Sequence, residues 1–316
     1  MARGVLRTPV EMTIARQVLP GRITLVSRRC TQRQLLLRPD ERVEQLFLYC
    51  LGEAAQRYGV TLHGWIAMSN HEHLVVRDNH GNLPEFIGHL HRMLAKAMNA
   101  RLGRWENFWA SEQTSLVWLV TPDDAFDKLV YLLANPVAAD LVEHVRDWPG
   151  ACSFEQHLSG MAKTVRRPRG FFREDGPMPE QVTLRAERLD GFESLSDADW
   201  SACIAGAVRD AEEAARRERA GKGQRVLGRK AVLRALPTDT PKTVAARRGL
   251  RPCVACRDPA RRQRVLVALV GFREKRKAAL IRHLAGERGV LFPCGTYRVR
   301  GIFVCAPPPT DLALAS

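Results

Sequence analysis

The sequence predicts an α+β fold: a ferredoxin-like antiparallel sheet with helices on one face, followed by a basic, mostly helical C-terminal region. Three observations predict it. The first is the order of apolar patterns in residues 1–158, which reads strand–helix–strand–strand–helix–strand and then one more helix, the split βαβ arrangement. The second is composition: 316 residues at 45 % hydrophobic and 26 % charged suit a globular chain and exclude a disordered tail or a fibrous repeat. The third is charge. The net +15 is unevenly spread, with 17 Lys+Arg against 17 Asp+Glu in residues 1–158 and 32 against 17 in residues 159–316. A surplus of this size favours a polyanionic partner, and the second half carries all of it.

The elements follow in order. Arg22–Arg29 (RITLVSRR) is rich in Ile, Leu and Val after Pro20-Gly21, a strand signal. From Pro39 to Tyr58, Val43, Leu46, Phe47, Cys50 and Leu51 recur at helical spacing, and Gly59 stops the helix. Leu62–Met68 and His71–Arg77 are apolar runs split by Ser69-Asn70, as in a hairpin. Leu83–Leu102 is again helical, and Ser115–Val120 is a strand. Thr121-Pro122-Asp123-Asp124 opens a helix running to about Ala134, where Asn135-Pro136 interrupts or kinks it. Lys163–Arg173 is basic and contains proline, so 159–195 reads as a linker between a domain at 1–158 and a basic region at 196–316. Helices are expected over Asp197–Arg219 and Arg261–Arg288, and a last strand over Thr296–Val304. No stretch is apolar enough for a transmembrane helix, no secretory signal is evident, and eight scattered cysteines suit reduced thiols; a cytoplasmic protein is expected.

Two short motifs carry chemistry. In Met68-Ser69-Asn70-His71-Glu72-His73-Leu74-Val75-Val76, strand alternation turns His71 and His73 to one face, where two imidazoles can chelate one divalent metal or simply meet solvent. Alternation sends Glu72 to the opposite face. There it meets solvent, pairs with a base, or bends towards the metal, in that order of expectation. In Tyr131-Leu132-Leu133-Ala134-Asn135-Pro136, residues four apart share a helix face, so Tyr131 and Asn135 project together. A phenol is a potential nucleophile and an amide oxygen is a hard ligand, although a half-buried tyrosine and a capping asparagine would look the same.

Taken together, M-S-N-H-E-H-L-V-V at 68–76 and Y-L-L-A-N-P-V-A-A-D-L-V at 131–142 resemble the HUH-type single-tyrosine transposases, the IS200-like and REP-associated tyrosine transposase family. The likeness spans roughly residues 20–155 and includes Asp147-Trp148-Pro149-Gly150 and Ser153. Ser69 stands where the family often has Pro, and Glu72 where it usually has a hydrophobic residue. The resemblance implies metal ligands at His71, His73 and Asn135 and a nucleophile at Tyr131, with Mg²⁺ or Mn²⁺ as cofactor. It implies cleavage and rejoining of single-stranded DNA through a 5′-phosphotyrosine link, at hairpin-forming repeats. With one candidate tyrosine, two strand transfers need sequential use or a second subunit in a homodimer.

Arg28, Arg29, Arg33 and Arg38 at the end of the first strand are candidates for DNA phosphates. Trp105, Phe108 and Trp109 are candidates for base stacking, or else a core under a loop. His89 and His91 read as structural. Cys253 and Cys256 with Cys294 and Cys305 make only a weak zinc pattern, and structural zinc is not expected. Thr240–Leu250 has a helix–turn character suited to DNA. Two alternatives stay open: an inactive nucleic-acid-binding descendant of the same fold, and a metal-dependent phosphoesterase that uses water.

Overall fold

The computed structural model describes residues 14–243, 252–297 and 304–306. Four antiparallel strands form the centre: β1 (Arg22–Arg29), β2 (Thr61–Met68), β3 (His71–Asp78) and β4 (Ser115–Leu119), in the order β2-β3-β1-β4. This is the split βαβ order read from the sequence. A two-residue strand β7 (Val254–Ala255) joins β4 in parallel and makes the sheet five-stranded and mixed. It covers an edge that would otherwise leave backbone groups unpaired.

Helices α1 (Glu41–Tyr58) and α2 (Leu83–Leu102) pack on one face of the sheet. Asp40 caps α1 by accepting from Val43 N at 2.9 Å, and Gly59 closes it in the left-handed conformation at φ 63°. The expectation of helices on one face needs a correction. Helix α3 (Pro122–Ala138) packs on the other face, against Ile66, Val75, Val117 and Leu119. The strands are apolar on both sides, so each face must be covered. The start of α3 is a capping box between Thr121 and Asp124, as its sequence suggests. Its end differs: α3 passes through Pro136 to Ala138 instead of stopping near Ala134. Pro136 falls in the last turn, where it forfeits one i→i−4 bond to the Leu132 carbonyl but only two helical residues follow it, and its own carbonyl accepts from Leu141 N at 3.0 Å.

Residues 159–195 are not a free linker. β5 (Lys163–Arg166) and β6 (Gln181–Leu184) form a hairpin whose Val165, Val182 and Leu184 join the core of α1. Helix α4 (Phe154–Ser159) precedes it. Helix α5 (Asp197–Gly221) then lies against α3 through Trp200, Ile204 and Val208, and short α6 (Arg229–Arg234) adds Val232 to the same core. The boundary near 158 is therefore not a division in packing. The described residues form two compact units, one within residues 20–262 and a smaller one built from residues 14–19 with 263–297 and 304–306. The smaller unit contains most of α7 (Pro259–Leu284), the strand pair β8 (Leu291–Phe292) and β9 (Val304–Cys305), and a core of Ala279, Val290 and Phe292. Of the strand expected over Thr296–Val304, Val304 falls in β9, and residues 298–303 lie outside the described residues. Residues 244–250 of the helix–turn candidate lie outside them as well. No helix among the described residues is long and apolar enough to cross a membrane.

Gly52 shows how closely the hairpin is applied. It lies inside α1, where glycine costs about 1 kcal/mol against alanine. A Cβ there would stand 2.8 Å from Val182 Cγ2. Gly52→Val should destabilise the protein by about 1–3 kcal/mol through overpacking, with faster amide exchange confined first to residues 163–184. Urea unfolding with hydrogen exchange reads both, and unchanged stability would contradict this packing.

Candidate active site

His71 and His73 stand on β3 and face α3, as alternation requires; their ring centroids are 4.8 Å apart in an edge-to-face arrangement. From α3, Tyr131 brings its ring centroid to 5.8 Å from that of His73, and the Asn135 side chain lies beside the His71 ring, where it favours the protonated form. The two motifs, 58 positions apart between His73 and Tyr131, thus meet at one place. Tyr131 is 47 % exposed, while His73 and Asn135 are buried. The nucleophile candidate reaches solvent and the ligand candidates lie behind it.

Burial keeps both imidazoles neutral. Desolvation pushes His71 down to about 4, with Arg29 adding to the fall and the Asn135 contact opposing it. Desolvation again, with His71 as neighbour, pushes His73 down to about 3. Neutral rings keep a lone pair for a metal. Each ring is also held by its other nitrogen. His71 Nδ1 donates to Asn70 Oδ1 at 2.7 Å, and His73 Nδ1 lies 2.6 Å from Ser27 Oγ. This leaves the two Nε2 atoms for ligation, the usual division of labour in histidine metal sites. Two neutral nitrogens and an amide oxygen suit a borderline or hard divalent ion, so the residues present fit such a group. Lys128, one turn before Tyr131, places its ammonium 5.4 Å from the phenol ring centroid.

No protein-family model matches the chain, and no curated protein matches it. Among solved structures, it is similar to one described as a REP-associated tyrosine transposase bound to a REP hairpin, at 15 % identity and a TM-score of 0.39, over 57 % of this chain and 96 % of that one. It is also similar to a crystal structure described as a candidate transposase from Deinococcus radiodurans R1, at 17 % identity and a TM-score of 0.28, over 37 % of this chain and 93 % of that one.

Glu72 corrects an expectation. Its face of β3 is not open to solvent, because α1 and α2 cover it and the side chain is fully buried. It pairs instead with a base: Glu72 Oε1 lies 2.5 Å from His91 Nε2 on α2. Trp109 Nε1 donates to the His91 carbonyl at 2.9 Å and its ring packs 5.0 Å from the imidazole. Trp109 and Phe108 are therefore core, and Trp109 is withdrawn as a stacking platform; Trp105 is 89 % exposed and keeps that capacity.

Arg28 is withdrawn as a phosphate contact. It points away from the histidines and its guanidinium donates to Glu112 O, Ala110 O and Thr114 Oγ1 at 2.8–3.1 Å, bracing the loop before β4. Arg29 lies on the histidine side, half exposed, with Glu112 at 3.7 Å. Arg33 is exposed and donates to Thr243 O and Oγ1, and Arg38 donates to Leu233 O and Asp40. Cys253 and Cys256 belong to the larger unit and Cys294 and Cys305 to the smaller. All eight cysteines are free.

The sequence reading gave no role to Ser27, Asn70 or Lys128. Lys128 sits three residues before Tyr131, so helical spacing alone could have found it. Ser27 could not be found this way, since it reaches His73 only through the β1–β3 register.

Two outcomes follow. His91→Ala should leave a buried carboxylate unpaired and cost about 3–5 kcal/mol, most of it recovered in Glu72→Leu/His91→Leu; denaturant titration distinguishes these. The pH response is set by His63, His71, His73 and His157, all held below the ordinary histidine value by burial, His157 at about 4. Because the folded values lie below the unfolded ~6.5, stability is complete above that pH. It is lost as pH falls towards 4, by up to about 1.4 kcal/mol per pH unit for each ring. Flat stability between pH 7 and 5 would show solvated rings.

Proposed function

We propose that the protein is a metal-dependent nuclease and strand transferase acting on single-stranded DNA, with Tyr131 as nucleophile. The observation that carries this reading is the meeting of an exposed phenol with two desolvated neutral imidazoles, His73 buried and His71 half-buried, and an amide. Its motifs resemble those of the single-tyrosine transposases, and hairpin-forming repeats are the substrates that resemblance implies.

His71, His73 and Asn135 would hold Mg²⁺ or Mn²⁺. Such an ion, when bound, neutralises charge on the scissile phosphate and favours in-line displacement. Tyr131 does the covalent work. A free phenol near pKa 10 is a weak nucleophile at neutral pH, so positioning and nearby positive charge must assist it. The Lys128 ammonium supplies charge on the tyrosine's own helix. Tyr131 Oη forms the bond to phosphorus and its proton leaves to solvent, which reaches the half-exposed ring. The bond from phosphorus to the 3′ oxygen breaks, and that oxygen departs as a 3′-OH on taking up a proton. The 5′ end stays on Tyr131 as a phosphodiester, so the reverse attack by a 3′-OH reseals a strand without an external energy source. One tyrosine per chain performs two transfers in sequence or within a homodimer.

The test is a covalent adduct. A 5′-structured single strand with Mn²⁺ should yield a DNA–protein adduct in the wild type. Tyr131→Phe should abolish it, and chelator or His71→Ala should reduce it by at least about 10²-fold, the scale of losing charge stabilisation at one group. Cleavage without adduct in both wild type and Tyr131→Phe would replace this reading with a water-dependent phosphoesterase. Chelator-insensitive binding without cleavage would leave only a nucleic-acid-binding protein.

A further inference from the structure

Residues 227–243 run as a strap between the two chain segments that carry the site. At one end, Leu227 N and Gly228 N donate to Asp140 O and Leu141 O, just beyond the α3 end that bears Asn135. Arg229 donates to Asp147 O at 3.1 Å. At the other end the strap follows the loop after β1. Leu233 O accepts from Arg38, Leu35 N donates to Asp239 O, and Thr243 accepts from Arg33. That loop is itself bound to the turn before His71, through Leu37 N to Ser69 O at 2.9 Å and Cys30 N to Asn70 O at 2.8 Å.

The strap holds four basic residues and one acidic one. Val232 is turned into the core, which sends Lys230 and Arg234 outward together, four residues and about 6 Å apart along α6. Both are exposed, and neither forms an ion pair among the described residues. They line an open cleft of about 780 Å³ with Arg229 and Leu227. Its one carboxylate, Asp239, accepts from Leu236 N at 2.8 Å. A brace that served only to tie loops together has no use for unpaired cations on its outer side.

We propose that this strap is a DNA-contact surface, with Lys230 and Arg234 each holding a phosphate of the strand that flanks the one at Tyr131. The proposal rests on the reading of Tyr131 as acting on DNA. It assigns part of the second half's surplus charge to a place that is bonded to the second motif at Asp140 and Leu141 and linked to the first through the loop after β1, and it is independent of base sequence, since phosphates carry none.

The test measures binding alone, on the full chain with Tyr131→Phe. The probe is a DNA hairpin with a single-stranded tail, followed by anisotropy over a range of KCl. Lys230→Ala/Arg234→Ala should bind several-fold more weakly, and its log–log salt slope should be shallower by about 1.4–1.8. Arg209→Ala/Arg217→Ala, which removes equal charge from exposed positions on α5, should change the slope less. Thermal melts by circular dichroism confirm that each variant folds. A strap variant that binds like the wild type or like the α5 variant overturns the proposal, as does a full chain that binds no DNA. Absence of an adduct in the wild type, with strap-dependent binding intact, would sink the nuclease reading and leave the strap surface standing.

Discussion

Burial of β3 between two helical layers governs the rest of this molecule. A strand covered on both faces has no solvent side on which to place polar residues, so each polar side chain on it needs a partner from the layer it faces. His71 and His73 face α3 and meet Asn135 and Tyr131; Glu72 faces α2 and meets His91. The alternation that separates the histidines from the glutamate is the same one that builds the sheet. Moving β3 by one residue would put a carboxylate under α3 and two imidazoles into the core of α1 and α2.

The same constraint explains the electrostatics. The imidazoles stay neutral because they are desolvated, and desolvation follows from α3 lying over them. Tyr131 escapes it, one turn before Asn135 at the exposed margin of that helix. A single helix thus supplies a wet phenol and a dry amide on one face. The Glu72–His91 pair holds the back of β3 in position, and Trp109 anchors His91 in turn. What looked like a break in the motif is a fastening between strand and helix.

The second half is less separate than its charge suggests. The 163–184 hairpin completes the core of α1, and α5 and α6 complete that of α3. Cutting the chain near residue 160 would strip apolar cover from α1 and α3, one on each face of the sheet, so the second half's charge is better probed at exposed residues. The strap shows why charge and packing are found together there: Val232 faces in while Lys230 and Arg234 face out.

The elements, and the placement of His71 with His73 and of Tyr131 with Asn135 on shared faces, were legible in sequence because they depend on local periodicity. The strand order, the helix carrying Tyr131 and the opposed directions of His71 and Glu72 all follow from spacing of two or of three to four residues. Helices on both faces, the pairing of Glu72 with His91, the burial of Trp109 and the bracing role of Arg28 were not legible. Each depends on which layer a side chain meets, and partners such as Ser27 for His73 are set by register between distant strands. Local chemistry thus determined which groups could react. Only tertiary packing decided which of them are dry, which are wet, and which are spent in holding the frame.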